Sequence, residues 1–350
     1  MRIAIHAERV FAAHGPKLAQ ATLRYRRDEV VAVVDSAHAG RTVADITGDE
    51  QTARIPVVAD IEAALPHGPD TLLIGISLLR TWIPEDLRRD VLTALASGLD
   101  VVSGLHHALG ADAEIAKVAA FHGRSIRDLR HPSRDDFEVV PTRRREGAGW
   151  VTLTVGSDAS VGKMTTSLEL DRSAGSRGLS SVVVATGQTG LFLVDRGFPA
   201  DHLVADFVPS VACQETSSAA HLADLVFVEG QGALTHPLYS NGTLALLHGA
   251  DPDALILCHR AGATEIAGVP GRRLPPLADL IAIHEQAATW CSARAPRVVG
   301  IALDTSRIDP AAARHEVEGV GAALGLPVSD PVRFGADVLL AAVLAARSAN

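Results

Sequence analysis

Val151-Thr152-Leu153-Thr154-Val155-Gly156-Ser157-Asp158-Ala159-Ser160-Val161-Gly162-Lys163-Met164-Thr165-Thr166 runs from an apolar stretch, through a loop bounded by two glycines, onto a lysine. A strand, a glycine-rich turn and then a helix, here expected from Thr165 to about Ala174, make an anion site. Backbone N–H groups and the positive helix end face the ligand, and the lysine reaches the outer phosphates. The lysine is informative because the chain has only three, against 29 arginines. Where a surface charge suffices this sequence uses arginine, so Lys163 is read as kept for its compact, rotatable ammonium head. Gly156, Ser157, Val161, Gly162, Lys163, Met164, Thr165 and Thr166 are therefore the candidate phosphate-binding residues.

The loop departs from the common pattern twice. Five residues separate its glycines, where the usual form has four. Met164 follows the lysine, where Ser or Thr normally holds Mg²⁺ through its hydroxyl. Thr165 and Thr166 are substitutes in type, but helical residues turn by about 100° each, so they need not face the same point. Phosphate binding follows from the loop; Mg²⁺-dependent hydrolysis does not.

Downstream, apolar strands are expected at Ser181–Thr186, Leu225–Glu229, Ala254–His259 and Arg297–Leu303, with helical stretches between. Polar residues follow the first three: Thr186-Gly187-Gln188-Thr189, Glu229-Gly230-Gln231-Gly232 and His259-Arg260. Ligands of open α/β sheets collect at the carboxyl ends of strands, so this convergence marks a site. Glu229 ends its strand as a Walker-B acid does, and either holds Mg²⁺ or orients a substrate amine. Asp158 either coordinates a metal, binds an amine, or shapes the loop as an Asx turn. His236 and His259 are candidate general bases, since imidazole titrates near neutrality. For both, a structural hydrogen-bonded role stands alongside.

Upstream, strand-like runs at Arg2–His6, Val30–Asp35, Ile55–Ala59, Thr71–Ile76, Asp100–Ser103 and Ser125–Leu129 alternate with helical patterns, most clearly Pro84–Ser97 and Ala111–His122. That is a Rossmann-like order. The turn after the first strand, Ala7-Glu8-Arg9-Val10-Phe11, lacks the glycines that let a pyrophosphate approach, so Asp35 is read as a strand-terminal turn residue rather than an NAD-binding acid. The segment from His131 to Gly149, rich in Pro, Arg and acids, reads as a linker, with Arg143-Arg144-Arg145 solvated. The expected organisation is α/β throughout: a Rossmann-like domain over 1–130, a linker over 131–149 and a P-loop domain over 150–350.

The 350 residues suffice for two cores. Apolar content of 47% with 4% aromatic means that those cores are built from small aliphatic residues. A charge of −9 argues against nucleic-acid partners. The odd, scattered Cys213, Cys258 and Cys291 offer no disulfide framework, and early charge in Met1–Glu8 does not suit a signal peptide. The apolar stretch around Val338–Ala346 is too short for a bilayer. A cytoplasmic protein without membrane partners is expected.

The loop with Val228-Glu229-Gly230-Gln231-Gly232 resembles the phosphate loop and acidic strand of dethiobiotin synthetase, a P-loop α/β fold, over roughly the second half. The whole chain more closely resembles the DUF1611 family. The motifs are Val161-Gly162-Lys163-Met164-Thr165-Thr166, Thr186-Gly187-Gln188-Thr189-Gly190, Val228–Gly232, Cys258-His259 and, in the first half, Ser103-Gly104-Leu105-His106. That resemblance implies D-glutamate N-acetyltransferase chemistry with acetyl-CoA as acyl donor, the loop holding its phosphates. Glu229 or a histidine would then take the ammonium proton, and Gln188 or a backbone N–H would meet the oxyanion.

The first resemblance implies instead an ATP-dependent ligase or kinase with Asp158 and Glu229 on Mg²⁺. A nucleotide-binding regulator without chemistry is a third reading. Gln188, Gln231, Arg260 and Lys17 are the substrate-binding candidates, with Arg272 or Arg273 as alternatives to Arg260. The acceptor carboxylates call for arginine, whose fork matches them. The expected partner is an acidic amino acid, and the expected assembly a homo-oligomer.

Overall fold

The strand at the start of the chain, Ile3–His6 (β1), has no exposed residue, and its side chains alternate between two cores. Ile3 and Ile5 pack with Leu18, Val33 and Leu73 on one face, while Ala4 joins Leu72, Val91 and Leu95 on the other. Helices cover both faces of such a sheet, which is why its strands read as unbroken apolar runs. A computed structural model describes residues 1–12, 16–76, 78, 82–131, 145–292 and 294–349. These fold into two compact units, with Leu191–Leu193 grouped with the first.

The first unit continues with Val30–Val34 (β2), Val57–Val58 (β3), Thr71–Ile74 (β4), Asp100–Ser103 (β5) and Ile126–Asp128 (β6). The six strands are parallel in the order β3-β2-β1-β4-β5-β6, so the direction of winding reverses between β1 and β4. This is the Rossmann-like arrangement expected from the alternation. Asp35, just past β2, is fully buried. Its carboxylate accepts from the N–H groups of Arg9 (3.0 Å), Phe11 (3.1 Å) and Ala37 (3.0 Å) and meets His38 at 2.9 Å. It shapes the turn after β1, and no oxygen is left for a ribose.

The second unit is built on Trp150–Gly156 (β7), Ser181–Val184 (β8), Leu225–Val228 (β9), Ala254–Arg260 (β10), Arg297–Asp304 (β11) and Val328–Ser329 (β12). They form a parallel sheet ordered β12-β11-β10-β7-β9-β8. β7, all seven residues buried, lies between β9 and β10, and its end is the place where the winding changes direction. That is where a ligand is expected. Among the described residues no helix is long and apolar enough to cross a membrane.

The linker reading needs correction at one residue. Arg143 and Arg144 lie outside the described residues, but Arg145 is buried rather than solvated. Its guanidinium donates to Asp253 Oδ2 (2.7 Å) and to the carbonyls of Gly149 and Asp251 (each 3.1 Å). Arg294 joins the same pair of acids. The network ties the entry of β7 to the entry of β10, since Val151 N–H also donates to Asp253 Oδ2 at 2.8 Å. Burying a guanidinium is tolerable only with this many partners.

Candidate active site

The loop after β7 is folded back on its own lysine. Ser160 and Gly162 take left-handed backbone angles (φ 58° and 94°), which turn the chain into the helix Lys163–Ser176. Lys163 is buried, and its Nζ donates to the carbonyl of Asp158 at 2.9 Å. The ammonium occupies the space over Gly156: a Cβ there would lie 2.7 Å from Nζ. Gly230 is required for a second reason, because a Cβ on it would sit 1.7 Å from the carbonyl oxygen of Thr154. Gly230 N–H donates instead to Thr154 Oγ1 (3.0 Å), so the end of β9 lies against the loop strand. The N–H groups of Val161 and Gly162 meet no acceptor among the described residues. A cradle of unsatisfied N–H groups beside an ammonium is an anion site.

Met164 stands where a metal-holding hydroxyl is usual, and one of the two threonines after it is turned away. Thr166 Oγ1 donates to the carbonyl of Gly162 (2.9 Å) and accepts from the Cys258 thiol (3.4 Å), so it faces its own helix and the core. Met164 and Thr165 are half-buried. Cys258 is fully buried, and burial pushes its thiol up to about 11, away from the thiolate form.

Around the loop, the strand ends converge as the sequence indicates. Glu229 is buried, and its Oε2 accepts from the N–H groups of Thr186 (3.0 Å) and Gly187 (3.3 Å). Thr186 Oγ1 donates to the Glu229 carbonyl (2.7 Å) and accepts from Gln231 Nε2 (3.1 Å), which locks β8 to β9. Gln188 follows, half-buried, as first residue of the helix Gln188–Leu193.

Ser157 Oγ meets His259 Nδ1 at 2.8 Å. Burial, and then the neighbouring Arg260 cation, hold His259 below its ordinary pKa, with Asp158 opposing. Its imidazole is therefore neutral at pH 7, the form a general base needs.

His236 is hydrogen-bonded at one nitrogen. Nδ1 accepts from Leu238 N–H (3.1 Å), so Nε2 carries the proton and faces Asp158 Oδ1 at 3.9 Å. Asp158 in turn accepts from Ala159 N–H (2.6 Å) and Ala267 N–H (2.7 Å). Asp158 thus shapes the loop through the next residue's N–H rather than by an Asx turn, and it ties the loop to the segment before Arg272.

Arg260 is committed within the protein. Its Nε donates to Asp304 Oδ2 (3.2 Å) and its Nη2 to the Ser160 carbonyl (2.5 Å), bracing the left-handed corner of the loop. Arg272 and Arg273 are different. Both are exposed and line a cavity of about 410 Å³ together with Thr235, His236, Ser240 and Ile266. No carboxylate among the described residues pairs with either.

Thr235 and Ser240 were not singled out by the sequence reading, although Thr235 adjoins His236. The Thr235 hydroxyl is buried without a partner. Lys17 belongs to the first unit, where it opens the helix Lys17–Tyr25 and is exposed.

The geometry has close counterparts. A family model described as the DUF1611_C P-loop domain of unknown function matches residues 138–340, and its DUF1611_N Rossmann-like companion matches residues 36–132. A protein of Tritonibacter scottomollicae named D-glutamate N-acetyltransferase is 36% identical over 81% of this chain and 84% of its own length. One from Pseudoalteromonas sp. with the same name is 33% identical over 78% and 81%. The solved structure of a DUF1611 family protein from Anabaena variabilis superposes with a TM-score of 0.91 at 37% identity, covering 98% of this chain and 99% of that one. A Rossmann-like unit, a P-loop unit with a six-stranded parallel sheet and these matches across both together make the chain a member of the DUF1611 family.

Proposed function

We propose that the protein is an acyl-CoA-dependent N-acetyltransferase acting on an acidic amino acid, D-glutamate first. The names of the two relatives support the reaction class. The observation that carries the reading is the loop itself. Lys163 and the N–H groups of Val161 and Gly162 suit a pyrophosphate, while Met164 stands at the usual metal-holding position and the Thr166 hydroxyl is turned inward. A CoA pyrophosphate needs the cradle without needing the metal. Acetyl-CoA would supply the activated acyl group as a thioester.

The residues then have distinct tasks. Arg272 and Arg273 hold the two carboxylates of the acceptor, each fork matching one carboxylate. His259, neutral and hydrogen-bonded to Ser157, takes the proton from the acceptor's ammonium so that its nitrogen carries a free pair. Gln188, or a backbone N–H of the loop, meets the oxygen that gains charge as the C–N bond forms; that charge returns to the carbonyl as the C–S bond breaks, and the proton taken by His259 passes to the departing thiolate. Glu229 holds the Thr186–Gly187 turn in place, keeping Gln188 at the helix start.

The test is product identity. Purified protein with acetyl-CoA and a panel of D- and L-amino acids is analysed by mass spectrometry, and N-acetylglutamate from the D-isomer is expected. Acetylation of neutral amines only would keep the reaction class and remove the acidic acceptor. A requirement for ATP, with release of ADP, would replace the reading with the ligase one.

A further inference from the structure

The first unit has a cavity that acyl transfer leaves unused. It lies past the carboxyl ends of β1 and β4, where the winding of the Rossmann-like sheet reverses and open α/β sheets take their ligands. Its volume is about 470 Å³, within the range of small-molecule sites. Val10, Ile76, Leu78 and Leu87 give it apolar walls, and His6, Asp86 and Asp90 give it polar ones.

The chemistry of this cavity excludes the ligand its position suggests. A dinucleotide would present its pyrophosphate to the N–H groups of the turn after β1. Two of those, on Arg9 and Phe11, already donate to the Asp35 carboxylate. The Arg9 guanidinium pairs with Glu8 at 3.2 Å, and Glu8 also accepts from Ser36 N–H at 2.8 Å. Among the described side chains around the cavity, carboxylates predominate: Glu8, Asp86 and Asp90 against the one guanidinium of Arg9. Among the described residues, Asp86 accepts only from Leu87 N–H of its own helix, Glu85–Ala96. Asp90 meets His6 Nε2 at 3.0 Å. His6 is 2% exposed, and its Nδ1 has no partner. A lining of carboxylates and aliphatic side chains fits a cation with an aliphatic body.

We propose that this cavity is a second binding site, taking a small organic ammonium ion with an aliphatic body, its charge held by Asp86 and Asp90. The inference is independent of the acyl-transfer reading. Calorimetric titration of the full chain with isopentylammonium chloride tests it, with isovalerate (similar body, opposite charge) and NAD as comparisons. Saturable one-site binding of the ammonium alone is expected, weakened at least tenfold in both D86N and D90N. V10W, at a half-exposed wall position, fills the cavity without touching a charge and should abolish binding even if an aspartate variant fails to fold. No saturable binding to the wild type overturns the proposal, as does binding that V10W leaves unchanged. NAD binding that V10W removes would also overturn it, and would restore a dinucleotide site.

Discussion

Lys163 Nζ donates to the Asp158 carbonyl, and the N–H groups of Val161 and Gly162 just before it meet no acceptor among the described residues, an arrangement that suits an anion. Removing one partner from such a desolvated pair costs about 2–5 kcal/mol. Lys163→Ala should therefore weaken acetyl-CoA binding by roughly 30-fold or more by calorimetry. Lys163→Arg should also bind poorly, because a wide fork does not fit the space over Gly156.

The arginines separate by what they already touch. Arg272→Ala and Arg273→Ala should raise KM for the amino acid while leaving that for acetyl-CoA nearly unchanged, as when ground-state binding of one substrate is lost. Arg260→Ala should instead lower the melting temperature and weaken acetyl-CoA binding, since it braces Ser160. Sequence position alone favoured Arg260, because a strand-end arginine is visible in one dimension. Its partner Asp304, 44 residues away, is not. His259 gives a pH signature. Burial and Arg260 hold it below the ordinary 6.5, so the acid limb of kcat/KM should fall below that pH. Arg260→Gln should move the limb upward by removing the cation.

At the scale of elements, the helix Leu277–Thr289 carries a buried histidine with a measurable consequence. His284 Nδ1 donates to the Leu280 carbonyl at 2.7 Å, its Nε2 is buried without a partner, and burial lowers its pKa to about 4. The unfolded chain binds this proton near pH 6.5 and the folded chain only near 4. Stability from this group is therefore complete above 6.5 and lost as pH falls toward 4, by on the order of 3 kcal/mol. His284→Leu should flatten the acid side of a urea-midpoint curve between those values; an unchanged slope would mean that the ring protonates in the native state.

Most strands were legible for a related reason: runs such as Val30–Val34 and Leu225–Val228 are covered on both faces and so carry no polar interruption. β12 was not, because Val328–Ser329 offers a single apolar side chain, whereas the equally short β3 lies inside the apolar run Ile55–Ala59. Arg145 failed in the opposite direction. Its neighbours suggest a solvated segment, and only the meeting of β7 and β10 supplies the acids that bury it.

The whole molecule joins two parallel sheets of different winding, and the sequence distinguished them by one loop. The glycines of Gly156–Gly162 announce a phosphate cradle in the second unit, and their absence after β1 denies one in the first, where Asp35 takes the N–H groups instead. The sequence could mark the strand ends that gather around Lys163. It could not show that Thr166 is turned inward or that Glu229 is held by two amides, because both depend on how β8, β9 and the loop helix pack.

The central claim is that this cradle serves acyl transfer without a metal. The rate of thiol release from acetyl-CoA on addition of D-glutamate, in EDTA and then with Mg²⁺ restored, tests it most directly. A D-glutamate-dependent rate that is well above buffer and equal in both conditions is predicted. No thiol release in either condition, or turnover that appears only with Mg²⁺ and ATP, would contradict it.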